Sequence, residues 1–250
     1  MPLAMLQAQD DALLLTLDRF GEQDAIVQCF TQAHGLMRGM VRRGFSRKQQ
    51  ATMQPATLAE AHWSARLPEH LPTLTLEARH SFAARVMHDP LRLAAIGSVT
   101  HLLARSLADH DPHPELYATT LHFFQHVTAG VEPLLWLGEY VRLELALLEL
   151  AGFGLDLSTC AATGSTEALI YVSPKSGRAV CASAGAPYHE RLLPLPVFLT
   201  DEQALPSSLA AILEGLRLTG YFLEERMLPA LHRTMPPLRA HFVALLTRLS

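Results

Sequence analysis

Lysine is almost missing from this chain. Lys48 and Lys175 are the only two, and arginine carries the rest of the positive charge. A GC-rich coding bias explains the imbalance, but its consequence is physical: arginine forks grip phosphates bidentately and stack on bases. Cysteine is scarce as well. Cys29, Cys160 and Cys181 are odd in number and too few for a disulfide framework, which points to a reducing compartment. Net charge is small, with 20 basic against 24 acidic residues and a formal charge of −4, so any argument for a polyanionic partner must rest on local clustering. Long uncharged apolar runs are absent too. The most apolar stretch, Leu134 to Leu150, contains Glu139, Arg142, Glu144 and Glu149, too many charges for a membrane span. The start, Met1-Pro2-Leu3 with Asp10-Asp11 close behind, lacks a basic segment followed by an apolar core. The expectation is a soluble, cytoplasmic protein.

What the sequence does have is core material. Hydrophobic residues make up 49% of the 250 and charged ones 18%, which excludes a disordered tail or linker and allows one large domain or two ordinary ones.

The apolar pattern changes period along the chain. From Asp11 to about Arg79 it has period two. Leu13, Leu15 and Leu17 read as one strand face, Ala25 to Thr31 as a second strand, and Leu36 to Val41 as a third after the turn His34-Gly35. Ala59, Ala61, Trp63 and Ala65 alternate with Glu60, His62, Ser64 and Arg66, and Leu74, Leu76 and Ala78 alternate with Thr73, Thr75 and Glu77. Five short strands with Gly-, Pro- and polar-rich turns predict a small barrel or sandwich. No helix intervenes that would build a βαβ unit, so a Rossmann-type sheet is disfavoured.

Beyond residue 80 the period is helical. Asp89-Pro90 suits an N-cap and N1 pair opening a helix from Leu91 to Ala108. Pro114 opens a second to about Ala129, and Pro133 a third over Leu134 to Leu150, with Gly152 placed as its C-cap. Ser207 or Ser208 starts a helix to about Leu228, and Pro237 starts one through Leu249. Between these, Ala168 to Ser173 and Arg178 to Ala182 flank the turn Pro174-Lys175-Ser176-Gly177, a hairpin signal. The fold class expected is α+β: a five-stranded domain over 1–80, then a helical domain over 81–250 with a hairpin insert at about 155–198.

Chemistry-bearing residues gather in one place. Between Gly35 and Gln50 lie Arg38, Arg42, Arg43, Arg47 and Lys48 with no acidic residue, a quarter of the chain's positive charge in sixteen residues. A mobile loop so charged could follow a phosphate backbone, each neutralised phosphate releasing counterions, and Phe45 between the arginines could stack on a base. A solvated loop with Phe45 anchored in the core explains the same residues. A barrel beneath it favours nucleic acid, because small barrels of this kind often bind single strands.

Signals for catalysis fall short of a site. His122 and His126 have metal-compatible spacing, but Phe123 stands where a metallopeptidase needs Glu. His110 and His113 flank prolines in a loop. Gly97-Ser98 and Gly164-Ser165 lack the strand–nucleophile–helix context of a hydrolase elbow, and there is no glycine-rich phosphate loop ending in Lys. Neither a catalytic residue nor a cofactor is expected. Two further readings stay open: a protein–protein adaptor without direct DNA binding, and an unrecognised hydrolase.

The run Arg19-Phe20-Gly21-Glu22-Gln23-Asp24-Ala25-Ile26-Val27, then Phe30-Thr31 and His34-Gly35, resembles the opening of the RecO family. The likeness continues in Arg142-Leu143-Glu144-Leu145-Ala146-Leu147-Leu148, in Gly152-Phe153-Gly154-Leu155-Asp156-Leu157, and in Tyr171-Val172-Ser173-Pro174-Lys175-Ser176-Gly177-Arg178-Ala179-Val180. Each motif is weak alone; their order along most of the chain is specific. The resemblance implies an N-terminal OB-fold barrel and a helical C-terminal domain. It also implies binding of single- and double-stranded DNA, annealing of complementary strands, and help in loading RecA onto strands coated by single-strand-binding protein, with the nucleoid as place of work during repair. RecR and the acidic, Phe-ended tail of the coating protein would be its partners. Arg142 and Arg217, each a basic residue beside an apolar groove, would suit such a tail. An ion pair of Arg142 with Glu139 or Glu144 is the plainer explanation of that residue.

Many RecO members carry two Cys-x-x-Cys pairs around the hairpin. Here those places read Cys160-Ala161-Ala162-Thr163 and Cys181-Ala182-Ser183-Ala184. Structural zinc wants four ligands in a closed tetrahedron, and two thiolates cannot supply them even with His189 close in sequence. The expectation is a degenerate zinc-ribbon-like insert without metal, Cys160 and Cys181 being small buried residues. A disulfide between them would need suitable geometry, and the cytoplasm disfavours it.

Overall fold

A computed structural model describes residues 6–49, 52–65, 70–201 and 203–249; Gln50, at the end of the basic segment, and Arg66 lie outside them. The chain divides into two compact units, 1–128 and 129–250. The change of period near residue 80 falls within the first, which therefore holds two long helices and a short one, Phe82–Arg85, besides the five strands.

The strands of the first unit are β1 (Leu6–Phe20), β2 (Asp24–Thr31), β3 (Gly35–Val41), β4 (Thr57–Ala65) and β5 (Thr73–Ser81). They close into a barrel in the order β1-β2-β3-β5-β4. All neighbours are antiparallel except β3 and β5, which meet at Met40 and Thr73. Closure there needs the two backbones close together: a Cβ on Gly39 would lie 2.9 Å from that of Leu74 and 3.3 Å from the Pro72 carbonyl oxygen. This is the OB-fold barrel that the resemblance implies.

Strand β1 is long enough to pair with β4 through its first half and with β2 through its second. A bulge between Leu14 and Thr16 corrects the expectation that Leu13, Leu15 and Leu17 share a face. The extra residue advances the side-chain alternation by one. Leu14, paired with Cys29, and Leu17, paired with Val27, therefore both belong to the barrel interior, while Leu13 does not. Ala12, Val27, Cys29, Met37, Met53, Trp63, Leu74 and Leu76 are among the other residues of that interior. Outside it, Leu13 and Phe30 are buried in a second layer, with Tyr117 set edge-on to Phe30 at 5.3 Å.

Helices α1 (Pro90–Ser106) and α2 (Pro114–Thr128) supply that layer. Asp89 caps α1, its Oδ1 accepting from the amides of Leu91 and Arg92. The connection between them runs against the β2–β3 turn at Gly35. There φ is +69°, and an added Cβ would stand 2.1 Å from the Asp111 carbonyl oxygen, so only glycine fits.

The second unit is built on α3 (Pro133–Leu150), α4 (Leu209–Phe222) and α5 (Pro237–Thr247). Helix α4 continues past Phe222 through a widened turn, Leu223–Met227, into Leu228–Ala230. Pro229, which has no N–H to give the turn before it, is the reason for that widening. The hairpin expected at 168–182 forms as β6 (Leu169–Val172) and β7 (Ala179–Cys181), and a short third strand, β8 (Leu193–Pro194), joins the other edge of β6.

Inside this unit Glu144 is 0% exposed. Arg239 of α5 donates to it through Nε at 2.6 Å and Nη2 at 2.9 Å, and the Thr219 hydroxyl donates at 2.5 Å. Gly220 leaves room for that guanidinium, since a Cβ there would lie 2.9 Å from both terminal nitrogens. The pairing corrects the suggestion that Glu144 serves Arg142. Residues two apart on a helix lie on nearly opposite faces.

Candidate nucleic-acid interface

The basic segment begins on β3, where Leu36, Met37, Gly39 and Val41 are buried and Arg38 is exposed. Cross-strand neighbours of Arg38 on the barrel's outside are Gln28 and, beyond it, Thr16, whose hydroxyl donates to the side-chain Oε1 of Gln28 at 2.8 Å. That row is polar and carries no acid.

At the end of β3 the chain turns sharply. Arg43 takes a left-handed conformation, φ +52°, and its amide donates to Asp24 Oδ1 at 2.7 Å. A non-glycine residue holds that conformation when its surroundings demand it, and here an amide–carboxylate hydrogen bond does so. The turn leaves Arg42 and Arg43 both exposed. The chain then runs through successive turns, Ser46 N to Arg43 O and Gln49 N to Ser46 O, rather than the open mobile loop expected. This segment is pinned by the Phe45 amide on the Gln23 carbonyl and by the Met53 side chain in the barrel core. Arg47 and Lys48 are exposed along it. Among the described residues no carboxylate pairs with the side chain of Arg38, Arg42, Arg43, Arg47 or Lys48.

Phe45 is 40% exposed, which removes it from the core. One face of its ring is covered by the Arg19 guanidinium, 4.5 Å from the ring centroid. Arg19 and the 52%-exposed Phe20 are the residues sequence reasoning missed. The signal was in the strand register: Ala25 pairs with Arg19 on one side and Val41 on the other, so the end of β1 must lie beside the start of the basic loop.

Across the barrel the charge is of the other sign. Asp11, Glu60 and Glu77 form a row over β1, β4 and β5, and Arg79 bridges Asp11 at 2.5 Å and Glu60 at 2.6 Å. The Arg79 hydrogen bond holds the Glu60 carboxyl below the usual carboxylate range. Arg79 thus partly neutralises that acidic row, whereas the side chains of the five cations after Gly35 meet no carboxylate among the described residues, Asp24 being bound to the Arg43 amide.

In the second unit Arg142 lines a groove of about 620 Å³ with Leu145, Leu155, Leu157, Phe198 and Leu199, while Glu149 and Asp201 add acid. Arg142 makes no ion pair with Glu139 or Glu144. Its Nη2 donates to the carbonyl oxygens of Phe198 at 2.9 Å and Ala204 at 2.6 Å, tying the 198–204 segment over α3. Arg217 is exposed on α4 and does not line the groove.

The motif 152–157 and the hairpin come together through an Asp156–Arg178 pair at 3.2 Å and backbone bonds from Asp156 N to Gly177 O and Ala179 N to Asp156 O. Beside them, Cys160 and Cys181 are buried, the Cys181 amide donating to Cys160 Sγ at 3.2 Å. Thr163 and Ser183 put hydroxyls 3.6 and 3.4 Å from Cys181 Sγ. Among the described residues no third Cys, His or carboxylate joins the two thiols, so the donors do not fit a four-coordinate zinc site. Of the other candidates, Ser98 is buried inside α1, and His122 and His126 lie ring to ring, centroids 4.0 Å apart.

Two family models match the chain: Recombination protein O N terminal over residues 5–82 and Recombination protein O C terminal over residues 87–235. The chain is 44% identical to the DNA repair protein RecO of Beijerinckia indica subsp. indica over 241 residues, 96% of this chain and 94% of that one. It is 42% identical to the DNA repair protein RecO of Rhodospirillum centenum over 236 residues, 94% and 92% of the two chains. Against the DNA repair protein RecO of Rhodospirillum rubrum the identity is 40% over 248 residues, 98% of each chain. Among the described residues no helix is long and apolar enough to cross a membrane.

Proposed function

Since the chain belongs to the RecO family of DNA repair proteins, we propose that it works by binding DNA directly, on the side of the barrel formed by β3 and the loop after it. One observation carries the reading: five cations, Arg38, Arg42, Arg43, Arg47 and Lys48, stand exposed on one side with no carboxylate partner among the described residues, while Asp11, Glu60 and Glu77 lie on another with Arg79. Unpaired surface cations exchange counterions for phosphates at little desolvation cost. The free face of Phe45 and the exposed ring of Phe20 offer stacking surface to unpaired bases.

The mediator role follows from such a surface: two complementary strands, each held by its backbone with its bases turned out, can anneal without nucleotide hydrolysis or metal. Loading of RecA onto strands coated by single-strand-binding protein, together with RecR, is the physiological task proposed. The groove beside α3 is the docking place proposed for the acidic, Phe-ended tail of the coating protein. Its leucines and Phe198 suit a terminal aromatic ring, and the guanidinium of Arg142 suits a terminal carboxylate. Glu149 and Asp201 would repel the tail's other acids and so orient it with its last residue inward.

The test is fluorescence anisotropy with a labelled single-stranded oligonucleotide. Changing Arg42, Arg43 and Arg47 together to Glu should abolish binding and annealing while leaving the thermal transition in place. Retained binding by that variant removes the loop from the interface. Arg142→Glu should weaken tail-peptide binding and leave oligonucleotide binding unchanged; an unaffected peptide affinity rejects the groove.

A further inference from the structure

We propose that Cys160 and Cys181 form a peroxide-oxidisable dithiol, a modification site in which Cys160 is the attacking sulfur and Cys181 resolves it to a disulfide. The two thiols lie twenty-one residues apart in sequence and are brought together by the turn at 160–165 packing on β7. The Ala161 amide donates to the Ala179 carbonyl, the Gly164 amide to the Cys160 carbonyl, and the Cys160 amide to the Ser165 carbonyl. These bonds hold the Cys160 side chain where the Cys181 amide points at its sulfur, 3.2 Å away, and the Thr163 hydroxyl of the same turn lies 3.6 Å from Cys181 Sγ. A backbone N–H aimed at sulfur stabilises a thiolate in particular. The Thr163 hydroxyl and the amides of Cys181, Ala162 and Thr163 all favour the charged form of Cys160, whose thiol is pulled down to about 6.

Burial decides the kind of chemistry. Both cysteines are buried, yet Ala161, Ala162, Thr163, Gly164 and Ser183 around them are exposed, so the pair lies directly beneath a surface turn. Burial of both sulfurs beneath that turn favours a small oxidant such as hydrogen peroxide over a bulky thiol as the reagent. Cys29, the third thiol, is fully buried in the barrel interior, and burial pushes its thiol up, which makes it an internal control.

In the first step the Cys160 thiolate attacks one peroxide oxygen and the O–O bond breaks. The leaving hydroxide takes a proton to become water, and Cys160 is left as a sulfenic acid. Cys181 gives up its proton and its sulfur attacks that of Cys160. The S–O bond breaks, and the departing hydroxide combines with the released proton as a second water. Two thiols lose two electrons; one hydrogen peroxide is reduced to two waters.

The experiment treats the whole protein with hydrogen peroxide, quenches it, alkylates the remaining thiols under denaturing conditions, and reads tryptic peptides by mass spectrometry. Cleavage after Lys175 and Arg178 places Cys160 and Cys181 on separate peptides, so a cross-link is seen directly. The expected result is loss of both thiols into one cross-linked pair that dithiothreitol reverses, with Cys29 fully alkylated. A second readout uses Cys181→Ser, in which a sulfenic acid at Cys160 should be trapped by dimedone. The proposal is overturned if both thiols stay alkylatable while a free cysteine peptide in the same tube is oxidised. Sulfinic acids without a cross-link, or loss of Cys29 in step with the other two, overturn it equally.

Discussion

Replacing Arg239 with Met should be among the most damaging single changes to the second unit. The substitution keeps the stem and removes a guanidinium that makes two hydrogen bonds to Glu144, at 2.6 and 2.9 Å, and one to the Leu216 carbonyl at 2.9 Å. It leaves a carboxylate with no solvent exposure and only the Thr219 hydroxyl for company. Breaking a buried pair from one side costs about 3–5 kcal/mol, because an uncompensated charge stays behind. At roughly 4 °C per kcal/mol for a unit of this size, the expected drop in Tm is about 12–20 °C. Glu144→Leu should cost a comparable amount by stranding Arg239. The double variant, Glu144→Leu with Arg239→Met, should recover most of the loss, since a well-packed apolar pair often equals a buried ion pair. Urea unfolding of the four proteins, followed by circular dichroism, gives the cycle, and the coupling expected is most of the sum of the two single losses, about 5 kcal/mol or more. If each single variant costs less than about 1 kcal/mol and the effects simply add, the pair is not a buried, unscreened contact.

Three further outcomes are expected. For single-stranded oligonucleotide, each neutralised phosphate contributes about 0.7 to the slope of log affinity against log salt, so five cations set a slope near −3.5, and Ala at Arg42, Arg43 and Arg47 should flatten it by about 2; an unchanged slope places the phosphates elsewhere. Phe45→Ala should weaken single-strand binding by about 1–3 kcal/mol and leave duplex affinity alone, because only unpaired bases present a free face; equal losses on both would assign Phe45 to holding Arg19 instead. Glu60 has a lowered folded-state pKa owing chiefly to its hydrogen bond with Arg79. The stability it lends is therefore present above the ordinary carboxylate range and lost as pH falls through its folded value; Arg79→Met should move the Glu60 titration, followed by NMR, back up toward that range.

Much of this molecule could be read from local pattern. Strand and helix periods, the Asp89 and Ser208 caps and the turn at Gly177 depend on neighbours a few residues away, and so does the density of arginine after Gly35. What escaped depends on partners distant along the chain. The bulge at Leu15 shifts the face of every later β1 residue, and no period count sees it. Arg19 meets Phe45 only because Ala25 is hydrogen-bonded to strands on both sides.

Sequence by itself determined the kind of protein: a five-strand domain before a helical one, a basic segment, and a hairpin too poor in cysteine to hold zinc. Tertiary structure decided which charges are free. Arg239 is spent on Glu144 across 95 residues and Arg79 on Asp11 and Glu60, while Arg142, held by carbonyls, and the five cations after Gly35 meet no carboxylate among the described residues. The reason is that charge is a property of a residue, whereas availability is a property of its surroundings, and only the folded chain supplies those.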